Sequence, residues 1–347
     1  MRVRVVRASW LGVVLGVLGC TEPVGAPPER ALDLPSDSCG PSVPVCRVDL
    51  CHEAVCSAVE IARVPGRITE LAVDGTHAYF VAAKALYRVP KCGGSVELVV
   101  TGAFGIRGVT LHGDFIYWFD VEGNQAPNLG GGFHRTPKAL GATEAIDPLD
   151  VSPSAAVGLA VDDEAVYVAR TAAPGIQRVD SHGSTLLKNS GVPGPLLVDE
   201  LALYFVSGSP TFISTMSKTG GPSTQVYLTN QIPFVQNSSS LFFFGPPGGG
   251  NYALVQGSKR GGVPSLMDAS VHAGTALAVD ENCLYAGWAT SPEPELWIQR
   301  SPIGAPSWTP FVAMGGQSVL IALDDASAYF GITSSDGSAG SVLRRPK

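Results

Sequence analysis

From about Ile68 to Lys347 the chain is a succession of short apolar runs with polar residues at intervening positions, each closed by glycine, proline, aspartate or asparagine. Ile68–Pro90 shows the pattern most plainly, as ITELAVD, HAYFVAA, ALYRVP and then, past a Gly-Gly pair, VELVV. Runs of this length with alternating apolar positions predict strands packed on both sides, and the glycine pair between the third and fourth predicts a tight hairpin. Four strands in a row, inner to outer, make one sheet unit.

That unit recurs. A polar residue followed five positions later by an aromatic marks it: Asp74/Tyr79, His112/Tyr117, Asp162/Tyr167, Asp199/Tyr204, Asn237/Phe242, Asp280/Tyr285 and Asp324/Tyr329, with His112 the chemical outlier. The aromatics lie 38, 50, 37, 38, 43 and 44 residues apart. A period of about 40 residues is that of a four-stranded propeller blade. A second landmark follows each aromatic: Arg88-Val-Pro, Arg135-Thr-Pro, Arg178-Val-Asp, Arg300-Ser-Pro and Arg344-Arg-Pro, with Thr215 and Gln256 in the two remaining repeats. Glycine turns come next, paired at Gly93-Gly94, Gly220-Gly221 and Gly261-Gly262 and single at Gly141, Gly183 and Gly304. The predicted fold is all-β, a seven-bladed β-propeller spanning residues 58–347.

The Tyr117-Trp118-Phe119-Asp120 stretch and the D-x4-Y…R-x-P…GG cadence resemble the YWTD-type and related NHL-like propellers. The resemblance implies the fold and little else, because such propellers host ligand binders, scaffolds and a few enzymes. YWTD propellers usually have six blades, so the likeness is to the style of the repeat and not to that family's partners.

The seventh repeat ends at Lys347 after its third strand, leaving an edge that another chain would pair with. The offset of the outer strand Val96–Val100 from Tyr117, applied to Tyr79, selects Ala58–Ala62, and this segment reads AVEIA beside VELVV. The N-terminal strand is therefore expected to complete the last blade.

Upstream, residues 1–19 carry Arg2, Arg4 and Arg7 before an apolar run too short for a comfortable membrane span, the order of a secretory signal peptide. Val17-Leu18-Gly19-Cys20 resembles a bacterial lipobox, which implies lipidation at Cys20. Thr21 takes the place of the aspartate that commonly retains lipoproteins at the inner membrane, so an exported outer-membrane lipoprotein, held to the membrane by its N-terminal lipid, is expected. Residues 20–38, with Pro23, Pro27, Pro28 and Pro35, read as a tether.

Residues 39–57 hold Cys39, Cys46, Cys51 and Cys56, and two more cysteines, Cys92 and Cys283, fall in propeller turns. Export favours disulfides, and the spacing lacks the paired C-x2-C of common zinc sites. Topology puts Cys92 and Cys283 on one face of the propeller. Among fifteen possible pairings of six cysteines, a cluster packed on that face with a link to Cys92 or Cys283 is preferred over two local disulfides plus two buried thiols.

Loop lengths distinguish the faces. From aromatic to the arginine position the spacing runs from 9 to 18 residues, whereas from there to the next aromatic it runs only from 26 to 32. Variation thus sits in the second-to-third-strand loops, opposite the face from which the tether leaves, and variable loops on a rigid scaffold are where specificity is usually built.

Candidate chemistry is sparse. The repeat aspartates, in short turns, are expected to cap turn amides rather than bind metal. The six histidines are scattered, and no HExxH, GxSxG or phosphate-loop pattern is present. On the inner strands Glu70 and Arg107 stand out as a cross-blade pair or part of a ligand site; Trp297, by the blade-six loop, offers a stacking surface. A net charge of −7 disfavours nucleic acid as a partner. No cofactor or metal site is assigned and a monomer is favoured. The function expected is a noncatalytic, lipid-anchored cell-envelope propeller that binds a protein or glycan at the cell surface through the variable-loop face. The alternative is an exported propeller enzyme of lactonase or lyase type, with a site in the central channel.

Overall fold

The computed structural model describes residues 58–102, 105–120, 132–147, 156–170, 175–189, 194–208, 211–229, 233–245, 253–268, 276–289, 295–304, 306–316 and 318–347. The expected signal peptide, Cys20, the tether and the four-cysteine segment lie outside them. So do residues 121–131, 246–252 and 290–294 of the variable loops.

Seven four-stranded antiparallel sheets follow one another, the blades of a propeller, with no helix among the described residues. Blade one runs from the channel outward as Ile68–Val73, His77–Ala82, Ala85–Pro90 and Glu97–Thr101. Blades two to six repeat this order. In blade seven, Ser318–Leu323, Ser327–Thr333 and Ala339–Pro346 are completed by Val59–Pro65, the outermost strand. Its register, from Val59 opposite Arg344 to Pro65 opposite Ala339, closes the ring as the repeat offset requires. The strand is displaced by one residue and extends three further than expected, matching a third strand eight residues long.

Each blade carries a bulge in its outer strand pair, such as Leu86/Tyr87 in blade one and Glu60/Ala62 in blade seven. Bulges raise the local twist, so the repeat encodes the turn of the blade as well as its strands. Between the third and fourth strands, Gly93, Gly94, Gly220, Gly221, Gly261 and Gly262 all have positive φ, as do Gly183 and Gly304. Blade two departs from expectation. There Leu140 takes the left-handed conformation at φ 63°, and Gly141 serves for close approach, since a Cβ on it would meet Pro137 Cγ at 3.0 Å.

The core is seven clusters, one between each pair of neighbouring blades. The seam is packed like any other interface: Ile61 and Val64 of the N-terminal strand share a cluster with Phe80 of blade one and Tyr329 of blade seven. Burying side chains of this size contributes about 1.5–3 kcal/mol each, so closure rests on apolar packing as well as strand pairing.

Candidate functional site

The inner strands all run in one direction along the channel. Their downstream ends reach the turns holding the repeat aspartates. Their upstream ends reach the opposite face, with the blade crossings and the second-to-third-strand loops. These two faces differ in chemistry.

On the aspartate face each turn is capped. The N–H groups of Thr76 and His77 donate to Asp74 Oδ1 at 2.8 and 2.9 Å, and the Tyr79 hydroxyl donates to Oδ2 at 3.0 Å. Asp162, Asp199 and Asp324 repeat all three bonds, and Asp280 repeats the two from backbone. This is the capping role expected of them.

A lysine of the next blade then reaches each of these carboxylates. Lys138 of blade two pairs with Asp74 of blade one at 3.2 Å, Lys218 with Asp162 at 3.0 Å, Lys259 with Asp199 at 2.9 Å and Lys347 with Asp280 at 2.6 Å. Across the seam, Lys91 of blade one pairs with Asp324 of blade seven at 2.5 Å. Each lysine lies three positions after the arginine landmark or its replacement. The two repeats without an aspartate are followed by repeats without the lysine: Ser181 comes after the His112 blade and Ile303 after the Asn237 blade. Asn237 Oδ1 still caps its turn, accepting from Ser239 and Ser240, so the repeat keeps the cap but lacks the charge and, with Phe242 in place of tyrosine, the hydroxyl bond. His112 instead meets Asp163 of blade three at 3.0 Å. The lysines went unnoticed in the sequence, although R-x-P-K in three repeats and S-K in two was the signal for them.

Burial would raise the Asp74 pKa, but the turn amides, Tyr79 and Lys138 outweigh it and hold it at about 2. Asp162, Asp199 and Asp324 shift the same way against the same burial, with Lys218, Lys259 and Lys91 in turn supplying the leading opposing bond. The ring is thus charged, satisfied and structural.

At the opposite end of the inner strands lies a cavity of about 480 Å³. Glu70 of blade one, residues 107–110 of blade two, 157–159 of blade three and 195–196 of blade four line it. Its wall depends on a bulge between Arg107 and Thr110. There Gly108 adopts φ +63°, where a Cβ would collide with the Phe119 ring. The bulge directs the N–H groups of Gly108 and Val109 to the Glu70 carboxylate. Burial raises the Glu70 pKa to about 7 against the opposing effects of the Arg107 charge and the two amides. At neutral pH Glu70 can therefore donate or accept a hydrogen bond, beside the exposed Arg107 and walls of Val109, Val157, Leu159 and Leu196. The Arg107 charge acts on Glu70 across blades, and the backbone amides of Gly108 and Val109 hold the carboxylate.

Trp297 is not brought to this cavity. It is half-buried on the third strand of blade six, opposite Trp288 in the register, away from the channel. Cys92 is exposed in the turn after the third strand of blade one, and Cys283 is buried at the start of the second strand of blade six, both on the aspartate face. Among the described residues no three His, Cys, Asp or Glu side chains are placed to hold a metal ion.

No protein-family model and no curated protein matches the chain. Solved structures do. The nidogen/laminin complex contains a chain similar over 70% of this one and 95% of its own length, at 15% identity and a TM-score of 0.51. The extracellular domain of the putative one component system BT4673 from B. thetaiotaomicron is similar over 83% of this chain, at 11% identity and a TM-score of 0.58. This chain spans only 39% of that one. At these identities the likeness is one of fold.

Proposed function

We propose that this is an exported, noncatalytic propeller that binds a protein or glycan through the face carrying the variable loops, with the Glu70/Arg107 cavity at the centre of that surface. The observation that carries the reading is the position of the cavity. It lies at the upstream ends of the inner strands, the end from which the irregular loops also arise, while a cavity of about 430 Å³ on the other face is lined by Asp74, Tyr79, Arg88 and Lys138, side chains already engaged in a capped turn and ion pairs. Its polar pair on an apolar wall suits one carbonyl, carboxylate or hydroxyl group of a larger ligand. The nidogen and BT4673 likenesses, one to a chain of a protein complex and one to an extracellular domain, accord with binding outside the cell.

The anchor belongs to the same proposal. The closing strand begins at Val59, opposite Arg344 and near the lysine end of blade seven, so the preceding chain arrives from the aspartate face. A lipid on Cys20, in the lipobox-like Val17–Cys20, would then leave the variable face pointing away from an outer membrane.

The test is affinity capture from envelope extracts with three baits: the parent, an E70Q/R107A double variant and K138M on the opposite face. The expected result is one partner retained by the parent and K138M and lost from the double variant. Equal capture by all three would refute the assignment of the face.

A further inference from the structure

The inner strand pairs differ from blade to blade in a way that follows the cavity. In blades one, two and three the register slips at the upstream end, between Ile68 and Glu70, between Arg107 and Thr110, and between Ala156 and Gly158. In blades four to seven the inner pairs run without a break. A bulge leaves residues outside the ladder and re-aims side chains, and those released here include Gly108, Val109 and Val157 of the cavity lining. Gly158 completes the wall by close approach, since a Cβ on it would meet Leu196 N at 2.8 Å. These distortions converge on one place, and blade building alone does not require them.

Charge converges there too. The inner strands of blades three to seven carry no ionisable side chain, and those of blades one and two carry Glu70, Arg107 and, at the aspartate end, His112. Arg107 is exposed and, unlike Arg88, Arg135 and Arg178, forms no ion pair among the described residues. Burial favours the neutral form of Glu70, which accepts from the two bulge amides and has an O–H left to donate. The site thus offers guanidinium and carboxyl donors and one positive charge, against apolar walls. A cation would meet the Arg107 charge, and a hydroxyl or amide carbonyl would leave that charge without a counter-ion. A carboxylate satisfies both donors, in charge-assisted bonds about twice as strong as neutral ones.

We infer that this cavity takes the carboxylate of an organic acid or of a chain terminus with a small apolar side chain, held by the Arg107 guanidinium and by a hydrogen bond from the Glu70 carboxyl. The inference rests on the cavity being the binding site proposed above and adds the group it takes. Binding is then linked to a proton, because two carboxyl groups share a site only while one stays neutral. Other ionisable groups stand apart from Glu70. The strands packed on its own carry His77, Tyr79, Tyr329 and His112, all at the aspartate end, and the inner strand of blade seven carries none. Asp120 is buried behind the bulge and accepts from Gly105 N–H, and Arg67 is exposed ahead of the strand; neither lines the cavity. A ligand carboxylate is ionised above about pH 5, and Glu70 keeps its proton up to about pH 7. Affinity should therefore fall about tenfold from pH 6 to pH 8 as the competent fraction shrinks.

The experiment is isothermal titration calorimetry of the full chain at pH 6 and pH 8 with isocaproate, isocaproamide, and N-acetylated Gly-Gly-Leu bearing a free or an amidated C terminus. Expected are binding of both acids, about tenfold weaker at pH 8, and no binding of either amide. The tighter of the two acids identifies the source as a chain terminus or a free small acid. Glu70→Gln, whose amide can still donate, should bind the acids equally at both pH values, and Arg107→Met at neither. Equal binding of acid and amide, no acid binding at millimolar concentration, or an unchanged pH dependence in E70Q would overturn the inference. Acid binding by the parent, with the envelope partner still captured by E70Q/R107A, would sink the surface reading and leave this one standing. A partner lost from that variant while acids and amides bind alike would sink this one alone.

Discussion

Lys91 Nζ stands 2.5 Å from Asp324 Oδ2, joining the first blade to the last by the contact that other neighbouring blades use between themselves. Both side chains are about one-tenth exposed. Replacing Lys91 with methionine keeps the apolar stem and leaves a poorly hydrated carboxylate with its turn amides and Tyr329 as partners. A loss of about 1–3 kcal/mol is expected, the cost of a buried polar group deprived of its partner. Thermal or urea unfolding of K91M checks it, and K138M, at a pair with both side chains about one-fifth exposed, should lose less.

The blade five/six junction offers a converse test. Ile303 N–H donates to Asn282 O, as Lys91 N–H does to Thr76 O, so residue 303 occupies the lysine position. Asn237→Asp alone adds an unpaired carboxylate and should destabilise. Adding Ile303→Lys should recover part of the loss, with a coupling of about 0.5–1 kcal/mol in a double-mutant cycle. Strict additivity would show that the recurring aspartate and lysine are not energetically linked.

Acid should unfasten the ring in a defined window. The folded pKa of Asp74 is depressed to about 2, below an unfolded value of about 3.9. The depressed carboxylates therefore contribute their full stability above about pH 4 and lose it as the pH falls toward about 2. Melting temperature against pH should be flat on this account from 6 to 5 and decline below 4. In K138M, where Asp74 loses one of the partners lowering its pKa, the total acid-induced loss should be smaller.

Glu70 titrates in the opposite sense. Its folded pKa is raised to about 7, so folding favours the neutral acid, and stability should decline as the pH rises from about 4.5 through 7. Glu70→Gln keeps an oxygen for the Gly108 and Val109 amides and removes the ionisation. Its melting temperature should therefore exceed the parent's at pH 8 and approach it at pH 5.

The fold was legible because one interface is written seven times. Tyr79 and its counterparts set the period, and the same offset located the closing strand to within a residue at its start. The Asp–Lys ring was equally periodic, yet the lysines were passed over because the pairing joins consecutive blades and the sequence shows it only when neighbouring repeats are compared. The cavity was legible only in part. Glu70 and Arg107 stood out as charges on inner strands, but the bulge at Gly108 that carries backbone amides to Glu70 depends on how Phe119 packs behind it. Leu140 took the left-handed position assigned to Gly141 because the glycine was needed against Pro137. Trp297 lies beside the blade-six loop as its number indicates, two residues into the third strand of that blade.

On the function proposed above, one face of the propeller binds while the other holds the blades together. Hydrogen–deuterium exchange on the protein alone and with its captured partner separates the two faces. Slowed exchange is expected in the upstream ends of the inner strands, around residues 68–70, 106–110 and 156–159, and in the second-to-third-strand loops, with the turns after Asp74, Asp162, Asp199 and Asp324 unchanged. Protection confined to those turns would contradict the claim.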